Sequence, residues 1–344
     1  MKKPKLRDRI RQNAGALVVD SFFRGASRIG RLHPLSRPDR HGLEMIPDVP
    51  YLGDGRQEHL LDVYRPSSQP GPWPVVLYVH GGGFRILSKD THWVMGLVFA
   101  KMGYLVFNIS YRLAPKHPFP AAMEDAAAAY TWVARNAAQY GGDLSRFVVA
   151  GESAGANLTA ALAICATHKR SEPYARAVWD TELVPKAIVP ACGILQVSDT
   201  ERFRRRKKKL SVYLADRLTE VEHAYLRNSD KLTPQERELA DPLLILERGE
   251  KPQRPFPPTF APVGTGDALL DDSRRLVAAL EKMKVPAEAI YYPRELHAFH
   301  AMVFRRAARQ CWKDIFEFLD KHLDRASVAE AEERARTKKK RKAL

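Results

Sequence analysis

A serine lies between small residues in the segment Gly151-Glu152-Ser153-Ala154-Gly155. An apolar run, 147–150, precedes this segment, and a helix-like run, 157–162, follows it. A Gly-x-Ser-x-Gly pattern between a strand and a helix is typical of a sharp turn that holds the serine in a strained conformation with its hydroxyl exposed. Side chains in place of the two glycines would collide with neighbouring backbone. The pattern therefore predicts Ser153 as a nucleophile, with an ordinary turn as the alternative interpretation of these five residues alone.

A base and an acid that could serve this serine lie further along the chain. A serine hydroxyl is a weak nucleophile until a base takes its proton, and the base needs an orienting carboxylate. Asp267 and His297 follow the strand-like runs 259–263 and 289–292, respectively. Because ligands bind at the carboxyl ends of strands in open parallel sheets, we predict that both side chains reach the serine.

Three neighbouring residues are alternatives for these two roles. Asp271 and Asp272 are the other carboxylates close to Asp267, and Asp271 falls at a predicted helix start, where capping is a simpler role. His300 lies in the same loop as His297 and is the alternative base. The prediction keeps Asp267 as the orienting acid and His297 as the base.

A run of three glycines follows a buried strand in the segment His80-Gly81-Gly82-Gly83-Phe84. Attack on an ester carbonyl creates an oxyanion, which needs preorganised N–H donors. Glycine amides can turn toward that oxygen because no side chain obstructs them. We therefore predict the amides of Gly81, Gly82 and Ala154 as the donors, with a flexible turn as the alternative reading of the glycines. His80 is interpreted as a residue that orients this loop.

The elements that must position these residues alternate between strands and helices. The strand-like runs are 59–64, 75–79, 105–109, 147–150, 187–190, 259–263 and 289–292, and the helix-like runs are 121–140, 154–168, 271–284 and 305–323. Several of the strand runs are nearly continuously apolar, which is typical of parallel strands covered on both faces. The alternation predicts an α/β fold with a doubly wound sheet.

Two polar segments flank or interrupt this pattern. Residues 1–45 predict an N-terminal cap with an amphipathic helix, and residues 200–250 predict a cap insertion over one end of the sheet. Within the insertion, Thr233-Pro234-Gln235-Glu236 is typical of a capping box with proline at the first helical position. The main domain is then 46–323, and the basic tail 324–344 is expected to be disordered.

The net charge of +16 is concentrated in the first 40 residues, in 204–209 and in 338–342. Such runs suit an anionic membrane surface, or they form a solvated surface without a partner. No nucleic-acid partner is expected, because no aromatic interleaving or nucleic-acid motif accompanies the runs. The three cysteines, 165, 192 and 311, indicate neither a disulfide framework nor a zinc site. We expect a cytoplasmic protein, at most peripheral to a membrane, because no clear signal peptide or membrane-spanning run is present.

Over about residues 60–323 the chain resembles the hormone-sensitive-lipase-like branch of the α/β-hydrolase superfamily, which includes bacterial carboxylesterases and lipases. The motifs that carry the resemblance are His80–Phe84, Tyr111–Pro115 with Phe119–Ala122 and Asp125, Gly151–Gly155, and Asp267–Asp272 with His297–Phe299. Three positions depart from the family pattern, which usually has proline at Ala268, glycine at Ala298 and glutamate at Lys116.

The resemblance implies a mostly parallel eight-stranded sheet with a helical cap, and hydrolysis of carboxylic esters without a cofactor or metal. It implies Ser153, Asp267 and His297 as the triad. The substrate would be a small-molecule or lipid-like ester with a short or medium acyl chain, bound near residues such as Phe84 and Trp93. An amide hydrolase or deacetylase with the same triad, and a non-catalytic binding protein on this fold, are the alternatives. A homo-oligomer is compatible with all of them.

Overall fold

A computed structural model describes residues 6–68, 70–206 and 210–324. Residues 325–344 of the predicted tail and 207–209 of the central basic run lie outside the described residues. The strands are β1 Leu43–Pro50, β2 Leu60–Pro66, β3 Trp73–Val79, β4 Leu105–Ile109, β5 Gly142–Glu152, β6 Ala187–Ala191, β7 Thr259–Phe260, β8 Val263–Gly264, β9 Ala287–Glu288 and β10 Tyr291–Tyr292. The helices are α1 Leu6–Leu32, α2 Trp93–Lys101, α3 Ala121–Asn136, α4 Ala154–Thr167, α5 Pro173–Trp179, α6 Glu201–Arg206, α7 Val212–Tyr225, α8 Pro234–Arg237, α9 Pro242–Glu247, α10 Leu270–Lys282 and α11 Arg306–His322.

The main sheet has eight strands in the order β1-β2-β4-β3-β5-β6-β7-β9. Strand β2 pairs antiparallel with both β1 and β4, whereas the pairs from β4 to β9 are parallel. The predicted α/β architecture with a mostly parallel eight-stranded sheet is therefore confirmed. Parallel order places the carboxyl ends of β3, β5, β6 and β7 along one edge of the sheet, where the candidate site forms.

The central strands are buried on both faces, which explains their continuous apolar sequence. In β3, Val75, Leu77 and Val79 face one hydrophobic cluster, and Val76 and Tyr78 face the other. Helices α3, α4 and α10 contribute to the first cluster, and α2 and α11 contribute to the second. Each full burial of such an aliphatic side chain contributes about 1.5–3 kcal/mol, so both helical layers stabilise the strands that carry the site.

Two predicted strands differ in extent from those of the structure. The run 259–263 is divided into β7 and β8, and only the second half of the run 289–292 forms a strand, β10, whereas β9 precedes that run. Pro262 explains the break between β7 and β8, because proline has no N–H for the ladder. The parallel pairing continues across it, since Ala261 N–H donates to Glu288 O (2.9 Å) and Val263 N–H donates to Ile290 O (3.1 Å). Asp267 and His297 still follow neighbouring parallel segments.

The N-terminal region and the insertion at 200–250 contribute helices next to the glycine-rich loop. Helix α1 is tied to the segment after that loop, where Asp20 accepts the Leu87 N–H (3.0 Å) and Arg31 donates to Asp90 O (2.8 Å). The insertion contains α6 to α9, and the predicted capping box at Thr233 and Glu236 is present. Strand β1, which the sequence analysis did not identify, begins within the predicted N-terminal segment. Among the described residues, no helix is both long and apolar enough to cross a membrane.

Candidate active site

The predicted nucleophile lies at a turn between β5 and α4 that only small residues can occupy. Ser153 has φ 56° and ψ −114°, a left-handed conformation that is costly for a residue with a side chain. A Cβ atom on Gly151 would lie 2.5 Å from Val79 O, and one on Gly155 would overlap the same oxygen. Both glycines therefore allow β3 and the turn to approach closely, and Ser153 N–H is fixed by Ala191 O (3.0 Å).

The structure brings Ser153, His297 and Asp267 together in a hydrogen-bonded chain. His297 Nε2 lies 3.0 Å from Ser153 Oγ, and His297 Nδ1 lies 2.8 Å from Asp267 Oδ2. Asp267 is buried, and its other oxygen accepts the Leu269 N–H at 2.8 Å. The His297 side chain is 41% exposed, so the imidazole is open to solvent on the side away from its carboxylate partner.

The alternative acids and base lie in different environments. Asp272 is fully buried in a structural cluster, where it accepts the N–H groups of Leu195 (3.0 Å) and Gln196 (3.2 Å) and pairs with Arg202 (2.6 Å). Asp271 lies in the first turn of α10 on the surface. His300 is buried, and burial lowers its pKa to about 4, so it is neutral at ordinary pH.

The glycine-rich loop approaches the serine turn, but one of its amides is already used. Gly81 N–H donates to Glu152 Oε1 at 2.6 Å, so it is not free to bind an oxyanion. The prediction for Gly81 is corrected on this ground. Gly82 and Gly83 have φ of 111° and 58°, and no described residue accepts a hydrogen bond from either amide. The amide of Ala154 opens α4, where the first N–H groups of a helix lack intrahelical partners.

Glu152 is the centre of a buried polar network directly behind the nucleophile. Besides Gly81 N–H, it accepts the Tyr78 hydroxyl and pairs with His92 Nε2 (2.7 Å). Burial alone would raise the pKa of Glu152, but His92 and Tyr78 outweigh it and lower the pKa to about 2. The same carboxylate raises the pKa of His92 against the effect of burial. The network therefore holds a charged pair under the serine turn.

We expect Glu152→Gln to remove an acid-sensitive part of the stability. A carboxyl whose folded pKa is below its ordinary 4.5 stabilises the fold above that pH, and this contribution is lost as pH falls toward about 2. The melting temperature of the variant should lie below that of the parent chain at neutral pH, and the difference should shrink on acidification. A difference that stays constant between about pH 6 and pH 3 would contradict the assigned charge state.

The pKa of His297 is raised well above its ordinary value. Desolvation by the surrounding protein disfavours the imidazolium, but the Asp267 carboxylate and the Cys192 sulfur beside the ring outweigh it. A base must be neutral to accept a proton, so raising its pKa moves the onset of activity to higher pH. We expect kcat/KM for a p-nitrophenyl ester to rise with pH with a midpoint above 6.5. A midpoint below that value, measured in a constant-ionic-strength buffer series, would contradict this assignment.

The two residues predicted for the substrate pocket have other contacts. Phe84 has no exposed surface and stacks on Tyr225 of the insertion, with ring centroids 3.7 Å apart. A fully buried ring cannot line an open pocket, so Phe84 belongs to the core between the sheet and the insertion. Trp93 is half-buried, and its indole N–H donates to Ser27 Oγ of α1 at 3.0 Å. A pocket role for Trp93 stays a prediction.

Sequence reasoning missed several residues of this site. Glu152 lies inside the recognised pentapeptide but was given no role, and His92 and Cys192 lie outside every motif. Cys192 directly follows β6, and its sulfur lies within 4.8 Å of a His297 ring nitrogen. The position of Cys192 after a central strand could have marked it, because carboxyl ends of parallel strands converge at this edge.

The chain is similar in sequence and in structure to known proteins. Residues 76–301 match a family model described as alpha/beta hydrolase fold. The chain is 44% identical over 156 residues to the carboxylesterase NlhH of Mycobacterium tuberculosis, a match that covers 43% of this chain and 49% of that protein. The matched region thus spans about half the length of this relative.

Matches over a larger part of the chain are also to esterases. The chain is 31% identical over 237 residues to an acetyl esterase of Salmonella schwarzengrund, which covers 68% of this chain and 67% of that protein. The structure of the present chain is similar to that of a hyperthermophilic esterase from the archaeon Pyrobaculum calidifontis, with a TM-score of 0.70 and 25% identity. That superposition covers 93% of this chain and 99% of the other.

Proposed function

The chain belongs to the alpha/beta hydrolase fold family, and from this premise we propose that it is a serine hydrolase of carboxylic esters. The relatives named carboxylesterase and acetyl esterase support the predicted hormone-sensitive-lipase-like branch. The observation that carries the proposal is the chain of contacts from Ser153 Oγ through His297 to the buried Asp267, at 3.0 and 2.8 Å. The first distance allows proton transfer from the nucleophile to its base, and the second lets the carboxylate orient that base.

In this proposal Ser153 attacks the ester carbonyl while His297 Nε2 accepts the hydroxyl proton. Asp267 keeps the ring in the productive tautomer and stabilises the imidazolium. The amides of Gly82, Gly83 and Ala154 bind the oxyanion. His297 then protonates the leaving alcohol, and a water molecule deprotonated by the same ring releases the acid and restores Ser153.

The turn favours this reaction in a second way. Ser153 precedes the first residue of α4, a helix of 14 residues whose N-terminus carries partial positive charge. Negative charge develops next to the serine as the tetrahedral intermediate forms. The helix end therefore contributes to binding that intermediate in addition to the three amides.

A panel of p-nitrophenyl esters with graded acyl chains tests the proposal. Acetyl and butyryl esters are expected to be cleaved faster than long-chain esters, because one similar relative is named for acetyl esters. The matching p-nitroanilides distinguish an ester hydrolase from an amide hydrolase with the same triad. Turnover of the anilides at the rate of the esters would favour the amide alternative, and binding without any turnover would favour a non-catalytic protein.

An anionic membrane surface is the second partner in this proposal. Helix α1 exposes an apolar stripe at helical spacing, formed by Val18 (68% exposed), Phe22 (67%), Ile29 (72%) and Leu32 (83%). Arg28 is exposed on the same helix, and the whole chain carries a net charge of +16. Apolar residues beside arginines are the composition that suits the interface of a negatively charged bilayer.

Vesicle sedimentation tests this partner. The full chain is expected to bind vesicles containing phosphatidylserine, to bind neutral phosphatidylcholine vesicles weakly, and to be released by high salt. Phe22→Glu should weaken binding while cleavage of a water-soluble ester continues. Phe304→Glu, at a residue that is 76% exposed elsewhere, is the matched control and should bind as the parent chain does. Equal binding by the parent and the Phe22 variant would contradict the proposal.

The described cysteines fit a reducing compartment such as the cytoplasm. All three are free and buried. This supports, as part of the proposal, a cytoplasmic enzyme that reaches membranes from that side.

A further inference from the structure

One group beside the triad forms no bond in the proposed ester hydrolysis. Cys192 is buried, with 1% of its surface exposed, and its sulfur lies beside the His297 side chain. A ligand atom from each of Cys192, Asp267 and His297 lies within 4.8 Å of the other two. The nucleophile's base and acid thus share a small volume with a thiol.

We propose that Cys192, Asp267 and His297 form a binding site for a soft divalent cation, with Zn²⁺ and Cd²⁺ as its natural probes, and that the bound ion switches the enzyme off. The inhibitory part rests on the proposed ester hydrolysis, whereas the binding part does not. Thiolate, imidazole and carboxylate are the three donor types that proteins use for zinc. Three protein donors leave a fourth position, which water occupies in open zinc sites.

The separations of the three donor atoms suit such an ion after a small adjustment. Bonds of about 2.0–2.3 Å at tetrahedral angles put donor atoms roughly 3.3–3.6 Å apart. Asp267 and His297 are already at 2.8 Å, and no pair of the three donors exceeds 4.8 Å. An ion inserted here therefore pushes the Asp267–His297 pair slightly apart and draws the sulfur inward.

The protein holds two of the donors in place before any ion arrives. Asp267 Oδ1 accepts the Leu269 N–H at 2.8 Å, which leaves Oδ2 directed at His297. The backbone of Cys192 is fixed by its N–H bond to Pro262 O at 3.0 Å. Burial raises the pKa of the Cys192 thiol, so the ion must displace the thiol proton as it binds. His297 has an exposed side chain, so it is the donor with room to adjust.

Metal binding and inhibition both follow from the displacement of the Asp267–His297 pair. The ion takes the sulfur lone pair, and the thiol proton passes to solvent. The coordinated imidazole and carboxylate no longer form the pair that orients His297 toward Ser153. Proton transfer from the serine then stops, although the serine and the oxyanion amides are untouched.

Metal binding is measured first, on the purified full chain and without any ester. Equilibrium dialysis against Zn²⁺ is expected to give one tightly bound equivalent, and Co²⁺ should give a sulfur-to-metal charge-transfer band. Both Cys192→Ala and Cys192→Ser should lose the band and bind Zn²⁺ at least about tenfold more weakly, because even the loss of a residue that only supports a ligand costs about 10–100-fold. Cys165→Ala removes a buried thiol inside α4 and should retain both signals.

Inhibition is measured second, as the Zn²⁺ concentration that halves each variant's own uninhibited rate. This concentration should rise at least about tenfold for both Cys192 variants and stay unchanged for Cys165→Ala. A parent chain without the charge-transfer band, or Cys192 variants that bind Zn²⁺ as tightly as the parent, would overturn the site. A chain that binds Zn²⁺ through Cys192 but cleaves no ester would overturn the proposed hydrolysis and leave the metal site standing.

Discussion

Ser153→Ala is expected to lower kcat/KM for p-nitrophenyl butyrate by roughly four to six orders of magnitude. The variant retains the oxyanion amides and the substrate pocket, so a small residual rate above that of water should persist. The loss is large because the serine oxygen forms the covalent bond to the acyl group. The hydroxyl is also the only atom group removed, so the turn itself should survive.

Three measurements make this result interpretable. The melting temperature should stay close to that of the parent chain, which shows that the variant is folded. A fluorophosphonate probe should label the parent chain and leave the variant unlabelled. Ser171→Ala, at an exposed serine that contacts Gln235, is the matched control and should keep full activity. Unchanged turnover in Ser153→Ala would remove the enzyme assignment altogether.

Asp267→Asn is expected to cost about 10⁴-fold in kcat/KM while the fold is kept. An amide has nearly the shape of a carboxylate, but its NH₂ group would donate to His297 Nδ1 and favour the wrong tautomer. His297 Nε2 would then carry the proton and could not accept one from Ser153. Steady-state kinetics together with the melting temperature separates this effect from unfolding.

The neighbouring carboxylates of Asp271 and Asp272 serve as internal controls for Asp267. Asp271→Asn changes a surface residue and should leave both activity and stability near those of the parent chain. Asp272→Asn leaves Arg202 and two backbone N–H groups with a weaker partner and should lower the free energy of unfolding by about 3–5 kcal/mol. Loss of activity in a folded Asp271 variant, with activity retained in Asp267→Asn, would transfer the orienting role to Asp271.

Local sequence patterns were sufficient to predict the central strands and the helices that position the site. The central strands are apolar on both faces and the helix after Ser153 begins at a glycine-flanked turn, so their identities depend on residues close in sequence. The order serine, aspartate, histidine could be predicted because each residue follows a parallel strand, and such strands end at one edge. Strand β1 was missed because it pairs with a single neighbour at the sheet edge and alternates only partly in burial.

The corrections come from contacts between distant segments. Gly81 could not be distinguished from Gly83 by sequence, because what separates them is the Glu152 carboxylate 71 positions away in the chain. Phe84 was expected in the pocket, but Tyr225 of the insertion covers its ring. Cys192 has no motif around it, and its significance arises only because the fold brings Asp267 and His297 next to its sulfur.

The Glu152 carboxylate, which binds both Tyr78 and His92, limits how this catalytic turn can be transplanted to another protein. A five-residue Gly-x-Ser-x-Gly graft carries with it a buried anion whose partners, Tyr78 and His92, come from elsewhere in the chain. On a recipient scaffold without those partners the anion would be buried without a partner, which would lower the free energy of unfolding by several kcal/mol. The smallest portable unit is therefore the turn together with the end of β3, the glycine loop and the start of α2.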